Sequence, residues 1–183
     1  MIVDFEGHKT LRWAKECINK ALEKHIIKKK KTFTVSAAPN SGKTRMAGTF
    51  ARIGLDRDAF DNIIVCAPTR QIKSQWTEDV VILNLNLTSE FNNSKMIRNK
   101  VDRECDGVVI TYQQLLTSQE WFRKLCFDSN SLVILDEVHH LANEAKWGEA
   151  VKHAFEHAVF VMSLSGTPFR HDGNQIPFQE YEQ

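Results

Sequence analysis

The chain has 183 residues, of which 42% are hydrophobic and 26% charged, the composition of an ordinary globular domain with a sizeable core. Its formal net charge of +1 does not indicate a nucleic-acid partner, although a basic stripe can lie within a balanced total. The four cysteines lack the spacing of zinc motifs, and no apolar run is long enough to cross a bilayer. We therefore expect free thiols, no secretion signal, no membrane contact and a cytoplasmic location.

Taken in chain order, apolar residues at helical spacing predict a first helix over 9–28. Short apolar runs and helical patterns then alternate along the chain, which indicates right-handed crossovers between parallel strands. The predicted fold is therefore a single α/β domain over 1–183, with a mostly parallel central sheet flanked by helices. No element is predicted over 83–104 or after 170. The predicted strands cover 32–36, 62–67, 107–111, 132–135 and 159–164, and the later helices 44–53, 70–81, 113–125 and 146–157.

A phosphate-binding loop is predicted directly after the first strand, where the segment 37–44 (AAPNSGKT) leads into a helix. Backbone N–H groups at the start of a helix favour anionic phosphates, and the helix dipole adds to this preference. Lys43 is predicted to bind the β- and γ-phosphates of ATP, and the Thr44 hydroxyl to bind Mg²⁺. Ala37 stands where the usual pattern has its first glycine. The other predicted nucleotide-binding residues of the loop are Pro39, Asn40, Ser41 and Gly42.

A second candidate element follows the apolar strand over 132–135, which ends in two acidic residues. This arrangement is typical of a Walker B element. Asp136 is predicted to hold Mg²⁺ through water, and Glu137 to polarise the water that attacks the γ-phosphorus. In parallel sheets ligands bind at the carboxyl ends of the strands, so both elements are expected at one edge of the sheet.

With the two residues that follow, the acidic pair resembles the DExH box of superfamily 2 helicases and translocases. The chain also carries segments similar to the family's other motifs, in the family's order. The resemblance extends over 35–170 and implies a three-layer RecA-like P-loop domain that uses ATP and Mg²⁺. The similarity is greatest to DNA repair, recombination and restriction translocases and to related phage helicases. The matching segments are 37–44 (motif I), 66–70 with Gln75 and Trp76 (motif Ia), 109–113, 136–139 (motif II) and 164–170 (motif III).

The resemblance also implies roles for residues outside the nucleotide-binding loop. His139 would contact motif III and couple the state of the γ-phosphate to nucleic-acid contacts. Its partners in motif III would be the hydroxyls of Ser165 and Thr167, with Gly166 part of the same coupling segment. The contacts with nucleic acid, with DNA favoured over RNA, would be made to backbone phosphates rather than base edges. The residues expected on this face are Pro68, Thr69, Arg70 and Thr111.

Two features limit what is expected of the chain itself. The segment 11–15 matches only the first two positions of the family's adenine-reading segment, Leu-Arg-Pro-Tyr-Gln, so adenine selectivity is not predicted. No motif of the family's second RecA-like domain follows, and that domain supplies a transition-state arginine worth roughly 10³–10⁵ in rate. We therefore expect a first motor domain that binds ATP, hydrolyses it slowly and does not unwind duplexes without a second domain or subunit.

An alternative of a different class is a naturally short P-loop module that regulates a partner subunit. A small-molecule kinase would also need the phosphate-binding loop. It would not predict the DExH box followed by the Ser-Gly-Thr segment, and is therefore disfavoured.

Overall fold

A parallel sheet of six strands forms the centre of the computed structural model, which describes residues 12–90, 105–142 and 145–166. The strand order is β1-β6-β5-β2-β4-β3, and every neighbouring pair runs parallel. This topology confirms the predicted parallel sheet. The strands are β1 (Thr32–Ser36), β2 (Asn62–Ala67), β3 (Leu87–Thr88), β4 (Gly107–Thr111), β5 (Ser131–Leu135) and β6 (Phe160–Ser165).

Helices cover both faces of the sheet, which gives the three-layer arrangement that the resemblance implied. Helices α1, α2 and α3 pack on one face and α4, α5 and α6 on the other, each face with its own hydrophobic core. Because both faces are covered, β2, β4, β5 and β6 are buried at every position and are mostly apolar. The helices are α1 (Arg12–Ile26), α2 (Lys43–Asp56), α3 (Arg70–Asp79), α4 (Tyr112–Leu116), α5 (Gln119–Asp128) and α6 (Ala145–Ala154).

The prediction of one continuous helix over 113–125 was wrong. The chain forms α4 and α5 instead, with a break at Thr117 and Ser118. The Thr117 hydroxyl donates to the carbonyl oxygen of Gln114 at 3.0 Å, and the Gln119 amide donates to that of Leu116 at 3.0 Å. These side chains bind carbonyl groups at the helix end and stabilise a turn in place of a continued helix. The spacing of apolar residues gives no sign of such side-chain hydrogen bonds.

The other differences concern the bounds of elements. Helix α6 ends at Ala154, three residues before the predicted end, and two short 3-10 helices cover Val81–Leu83 and Val138–Ala142. The two-residue strand β3 lies within 83–104, where no element was predicted, and the segment after 170 lies outside the described residues. None of the helices in the described ranges is both long enough and apolar enough to span a membrane.

The sheet brings the candidate motifs to one edge. The loop at Ala37 follows β1, Pro68 follows β2, Tyr112 follows β4 and Asp136 follows β5. All four strands run parallel, so these residues lie at the carboxyl ends, where α/β sheets bind ligands.

Candidate active site

The loop between β1 and α2 is the segment predicted to bind phosphate. Two of its residues have left-handed backbones, Asn40 at φ 58° and Gly42 at φ 89°. Asparagine and glycine are the residues that adopt this conformation most readily, so the loop is built from suitable residue types. Ala37 has no positive φ, so replacing the usual first glycine introduces no backbone strain there. Its N–H donates to the carbonyl oxygen of Ser165 at 3.1 Å, which ties the loop to the end of β6.

Lys43 lies at the start of α2. Its side chain is buried, and its ammonium group lies against the backbone of the loop. The Nζ atom donates to the carbonyl oxygen of Ala37 at 3.0 Å and to that of Ala38 at 3.4 Å. It also lies 3.5 Å from Oε1 of Glu137. The Lys43 cation therefore lies between the loop that follows β1 and the acidic pair that follows β5.

A cleft of about 640 Å³ brings the predicted nucleotide-binding residues together. Its walls also include residues that the sequence did not assign to the site, among them Trp13 of α1 and Gln75 and Asp79 of α3. The predicted residues in its lining are Pro39, Asn40, Ser41, Gly42, Lys43, Thr44, Asp136 and Glu137.

Asp136 is a buried carboxylate with a partner that the sequence did not assign to the site. Its Oδ2 atom accepts a hydrogen bond of 2.8 Å from the indole N–H of Trp76, on α3. Burial raises the pKa of the Asp136 carboxyl; the Trp76 hydrogen bond and the charge of Lys43 lower it, and the neighbouring Glu137 raises it further. Trp76 belongs to the segment that resembles motif Ia, and that motif was the only sequence signal pointing to it.

Tyr112 is a second residue that the sequence did not assign to the site. Its hydroxyl donates to the main-chain oxygen of Asp136 at 2.8 Å, and its ring stacks on Trp147 with centroids 5.6 Å apart. Burial raises the pKa of the Tyr112 hydroxyl well above its ordinary value, so this group stays protonated and acts as a donor. Tyr112 directly follows Thr111 at the end of β4.

Glu137 is the residue on which three motifs converge. Its backbone is left-handed, with φ 48°, a conformation that costs a non-glycine residue roughly 1–2 kcal/mol. Its Oε2 atom accepts a hydrogen bond of 3.0 Å from the N–H of Gly166 and lies 3.3 Å from Nδ1 of His139. Together with the Lys43 contact, these interactions hold the carboxylate between the start of α2 and the end of β6.

The expected contact between His139 and the third motif is present. The Nδ1 atom of His139 lies 3.5 Å from the Ser165 hydroxyl, and Gly166 reaches the same group of residues through Glu137. Thr167, predicted to be part of the same group, lies outside the described residues.

The four residues predicted to contact nucleic acid line a single groove of about 510 Å³. The hydroxyls of Thr69 and Thr111 cap α3 and α4, accepting from Ile72 N–H at 3.3 Å and Gln114 N–H at 3.2 Å. Thr111 is buried, whereas Thr69 and Arg70 are exposed. The predicted residues in the lining of this groove are Pro68, Thr69, Arg70 and Thr111.

Lys73 adds a second cation to this groove and was not predicted. Its ammonium group donates to Oε1 of Gln114 at 2.9 Å, which links α3 to α4. Burial, and then the charge of Arg70, lower the pKa of Lys73. Two cations on one helix, with backbone N–H groups at the helix start, suit a phosphate-bearing ligand.

The residues of the main cleft also suit a nucleotide-bound Mg²⁺ ion. No three His, Cys, Asp or Glu side chains are grouped as a metal site in the described parts of the chain. Mg²⁺ is commonly held by one or two carboxylates together with substrate phosphates and waters. Asp136 and the Thr44 hydroxyl, both in the lining of the cleft, supply a donor set of that kind.

Comparison with known proteins places the chain in a family. Residues 8–170 match the family described as "Type III restriction enzyme, res subunit". An uncharacterized protein of Mycobacterium leprae is 34% identical over 162 residues, and one of Mycobacterium tuberculosis is 32% identical over 163 residues. These alignments cover 88% and 89% of the chain but only 27% of each relative. The chain thus spans about a quarter of the length of these relatives.

Solved structures share the fold at low sequence identity. The Sulfolobus solfataricus SWI2/SNF2 ATPase core in complex with dsDNA has a TM-score of 0.70 at 15% identity, over 92% of this chain and 34% of that chain. The Pyrococcus furiosus Hef helicase domain has a TM-score of 0.64 at 18% identity, over 87% and 33%. T4 UvsW has a TM-score of 0.61 at 17% identity, over 85% and 29%. The chain therefore belongs to the type III restriction enzyme res subunit family and has the fold of the first RecA-like domain of superfamily 2 helicases.

Proposed function

We propose that this domain binds ATP with Mg²⁺ and hydrolyses it as the first motor domain of a superfamily 2 helicase or translocase. The observation that carries the proposal is the position of Lys43. Its ammonium group lies 3.5 Å from Glu137, inside a cleft that is also lined by Thr44 and Asp136. The site at the start of α2 thus contains a cation, a candidate base and a candidate pair of metal-binding residues. These are Lys43, Glu137, and Thr44 with Asp136.

The phosphates of ATP would enter the loop between β1 and α2. The backbone N–H groups of the helix start and the Lys43 ammonium would bind them, with Lys43 exchanging its carbonyl partners for phosphate oxygens. Gly42 has open space around its Cα, with no atom within 4 Å of where a Cβ would lie. That space allows the backbone a close approach to a phosphate.

Glu137 would orient the attacking water and accept its proton. Thr44 and Asp136 would hold Mg²⁺, whose positive charge would offset the charge that develops on the phosphate oxygens. The Gly166 N–H and His139 hold Glu137 from the side of β6. A movement of the segment at the end of β6 would therefore shift the candidate base directly.

The groove at the N-termini of α3 and α4 would bind the sugar-phosphate backbone of a nucleic acid, with DNA favoured over RNA. Arg70 and Lys73 supply its positive charge, and Pro68, Thr69 and Thr111 complete its lining. A phosphate-directed interface of this kind predicts binding that is sensitive to salt and largely independent of sequence. The structurally similar Sulfolobus solfataricus ATPase core was solved in complex with dsDNA.

A second RecA-like domain or subunit would complete the site. The aligned regions make up 27% of each mycobacterial relative and 34% of the Sulfolobus core. An arginine supplied from outside this chain would stabilise the transition state, and such residues are worth roughly 10³–10⁵ in rate. The chain alone is therefore expected to turn over ATP slowly and not to unwind a duplex.

The first experiment measures ATP binding and turnover by the purified chain, with and without single-stranded and duplex DNA. The test variant is Lys43→Ala, and the matched control is Lys20→Ala, an exposed lysine on α1. Weak turnover that only Lys43→Ala removes would support the proposal. Brisk turnover would show that the chain completes its own site, for example by oligomerising. Tight binding without turnover would favour a regulatory module instead.

A further inference from the structure

Asp136 is held by three hydrogen bonds from three elements. The Trp76 indole N–H donates to Oδ2 at 2.8 Å, the Tyr112 hydroxyl donates to the main-chain oxygen at 2.8 Å, and the Asp136 N–H donates to the Cys66 carbonyl oxygen at 2.9 Å. Trp76 and Tyr112 are themselves almost fully buried, with exposed fractions of 1% and 0%. Both side chains are therefore fixed in place by the core, and so is the aspartate that they bind.

The Trp76 contact determines which carboxylate oxygen of Asp136 is engaged. An indole N–H is a donor only, so it binds one oxygen and cannot act as an acceptor for the water shell of a metal. Trp76 binds Oδ2, which leaves Oδ1 outside this hydrogen bond, and Asp136 is one of the residues that line the cleft. Removing a hydrogen-bond partner that orients a metal-binding carboxylate in this way commonly changes the affinity for the metal.

The Tyr112 contact acts on the next residue instead. It fixes the carbonyl group of the peptide bond that joins Asp136 to Glu137, and Glu137 has the left-handed backbone with φ 48°. Such a conformation persists only where the surroundings over-determine it. The hydrogen bond from Tyr112 supports this backbone on one side, and the Gly166 N–H holds the Glu137 carboxylate on the other.

We infer that Trp76 and Tyr112 are two positioning residues with separate tasks: Trp76 orients the metal-binding carboxylate of Asp136, and Tyr112 holds the backbone that aims Glu137. The inference rests on the proposed function, because it assigns roles toward Mg²⁺ and ATP. It predicts that the two residues affect different steps, metal binding and hydrolysis, although both bind the same aspartate.

The test uses Trp76→Phe and Tyr112→Phe in the full chain. Phenylalanine at position 112 keeps the ring and removes only the hydroxyl, whereas at position 76 it removes the indole N–H together with part of the buried ring. Trp121→Phe is the matched control, because Trp121 lies on α5, on the opposite face of the sheet from α3. Thermal denaturation of all three variants first establishes that they are folded.

The first readout is the affinity for a non-hydrolysable ATP analogue, measured with EDTA and across a Mg²⁺ titration. For Trp76→Phe we expect unchanged affinity in EDTA and about 10- to 100-fold weaker apparent Mg²⁺ affinity, the usual effect of removing an outer-shell partner. Tyr112→Phe and Trp121→Phe should retain the parental Mg²⁺ dependence. An unaltered Mg²⁺ titration in Trp76→Phe would contradict the role of Trp76.

The second readout is single-turnover hydrolysis at saturating Mg²⁺ and ATP. For Tyr112→Phe we expect about a tenfold fall in rate, the equivalent of one lost hydrogen bond, with nucleotide affinity unchanged. A parental rate in this variant would overturn the role of Tyr112. If the parent chain itself neither binds nor hydrolyses ATP, the proposed function fails instead, which separates the two failures.

Discussion

The Lys43 ammonium group and the Glu137 carboxylate form an ion pair of 3.5 Å across the cleft. In the proposed ATP-bound state, Lys43 would bind the phosphates and Glu137 would bind the attacking water. Nucleotide binding would therefore exchange this internal pair for contacts with ATP, and free Glu137 for its role as a base.

Replacing Glu137 with glutamine should separate binding from hydrolysis. The amide cannot accept a proton, so turnover should fall by about 10²–10⁴-fold, the usual contribution of a general base. Binding should be retained, because Lys43 loses only a competing partner. The two quantities are measured by calorimetry and by phosphate release. Parental turnover in Glu137→Gln would show that this residue is not the base.

Replacing Asp136 with asparagine should stabilise the nucleotide-free chain at neutral pH. Burial raises the pKa of this carboxyl above 3.8, so folding penalises its ionised form. Below pH 3.8 the Asp136 carboxyl is protonated in both the folded and the unfolded chain, so the penalty is absent. The penalty is complete above the pKa of the folded state.

The expected gain from Asp136→Asn is a few degrees in Tm at pH 7, shrinking as the pH falls toward 3.8. Asparagine keeps an oxygen that can accept from Trp76, so that hydrogen bond need not be lost. Thermal denaturation at several pH values measures the difference. A gain that is independent of pH would mean that the buried charge is not its cause.

Replacing Gly42 with alanine should destabilise the loop through its backbone alone. The φ of 89° is left-handed and costs an alanine roughly 1–2 kcal/mol, whereas a Cβ there would meet no atom within 4 Å. Gly166→Ala is the matched control, because its Cβ would make only ordinary contacts, the nearest at 3.5 Å. Urea denaturation compares the two. An equal loss of unfolding free energy in both variants would contradict this account of Gly42.

Removing a cation from the groove at α3 should weaken nucleic-acid binding and reduce its salt dependence. Each lost phosphate contact should lower the slope of log K against log salt by about one. The variants are Arg70→Ala and Lys73→Ala, with Arg57→Ala, beyond the C-terminal end of α2, as the control. The measurement is the binding of a single-stranded oligonucleotide at several salt concentrations. An unchanged slope in both test variants would place the interface elsewhere.

Most of the architecture could be predicted from the sequence because its signals are short in range. Strand β2 was predicted with its observed bounds, since an apolar run followed by Pro68 is a local pattern. The loop at Lys43 and the acidic pair at Asp136 were likewise predicted from a few adjacent residues that follow a strand. The break between α4 and α5 was missed because it depends on side-chain hydrogen bonds to carbonyl groups and not on apolar periodicity.

The sequence alone thus determined the α/β alternation and placed each motif at the end of a strand, because both are written in neighbouring residues. Only the tertiary structure decided which distant groups share the site. Trp76 lies 60 residues from Asp136 along the chain and Tyr112 lies 24 residues from it, yet both donate hydrogen bonds to it. An apolar pattern shows that an aromatic ring is buried, but the partner of its N–H or O–H is chosen by strand order and helix packing.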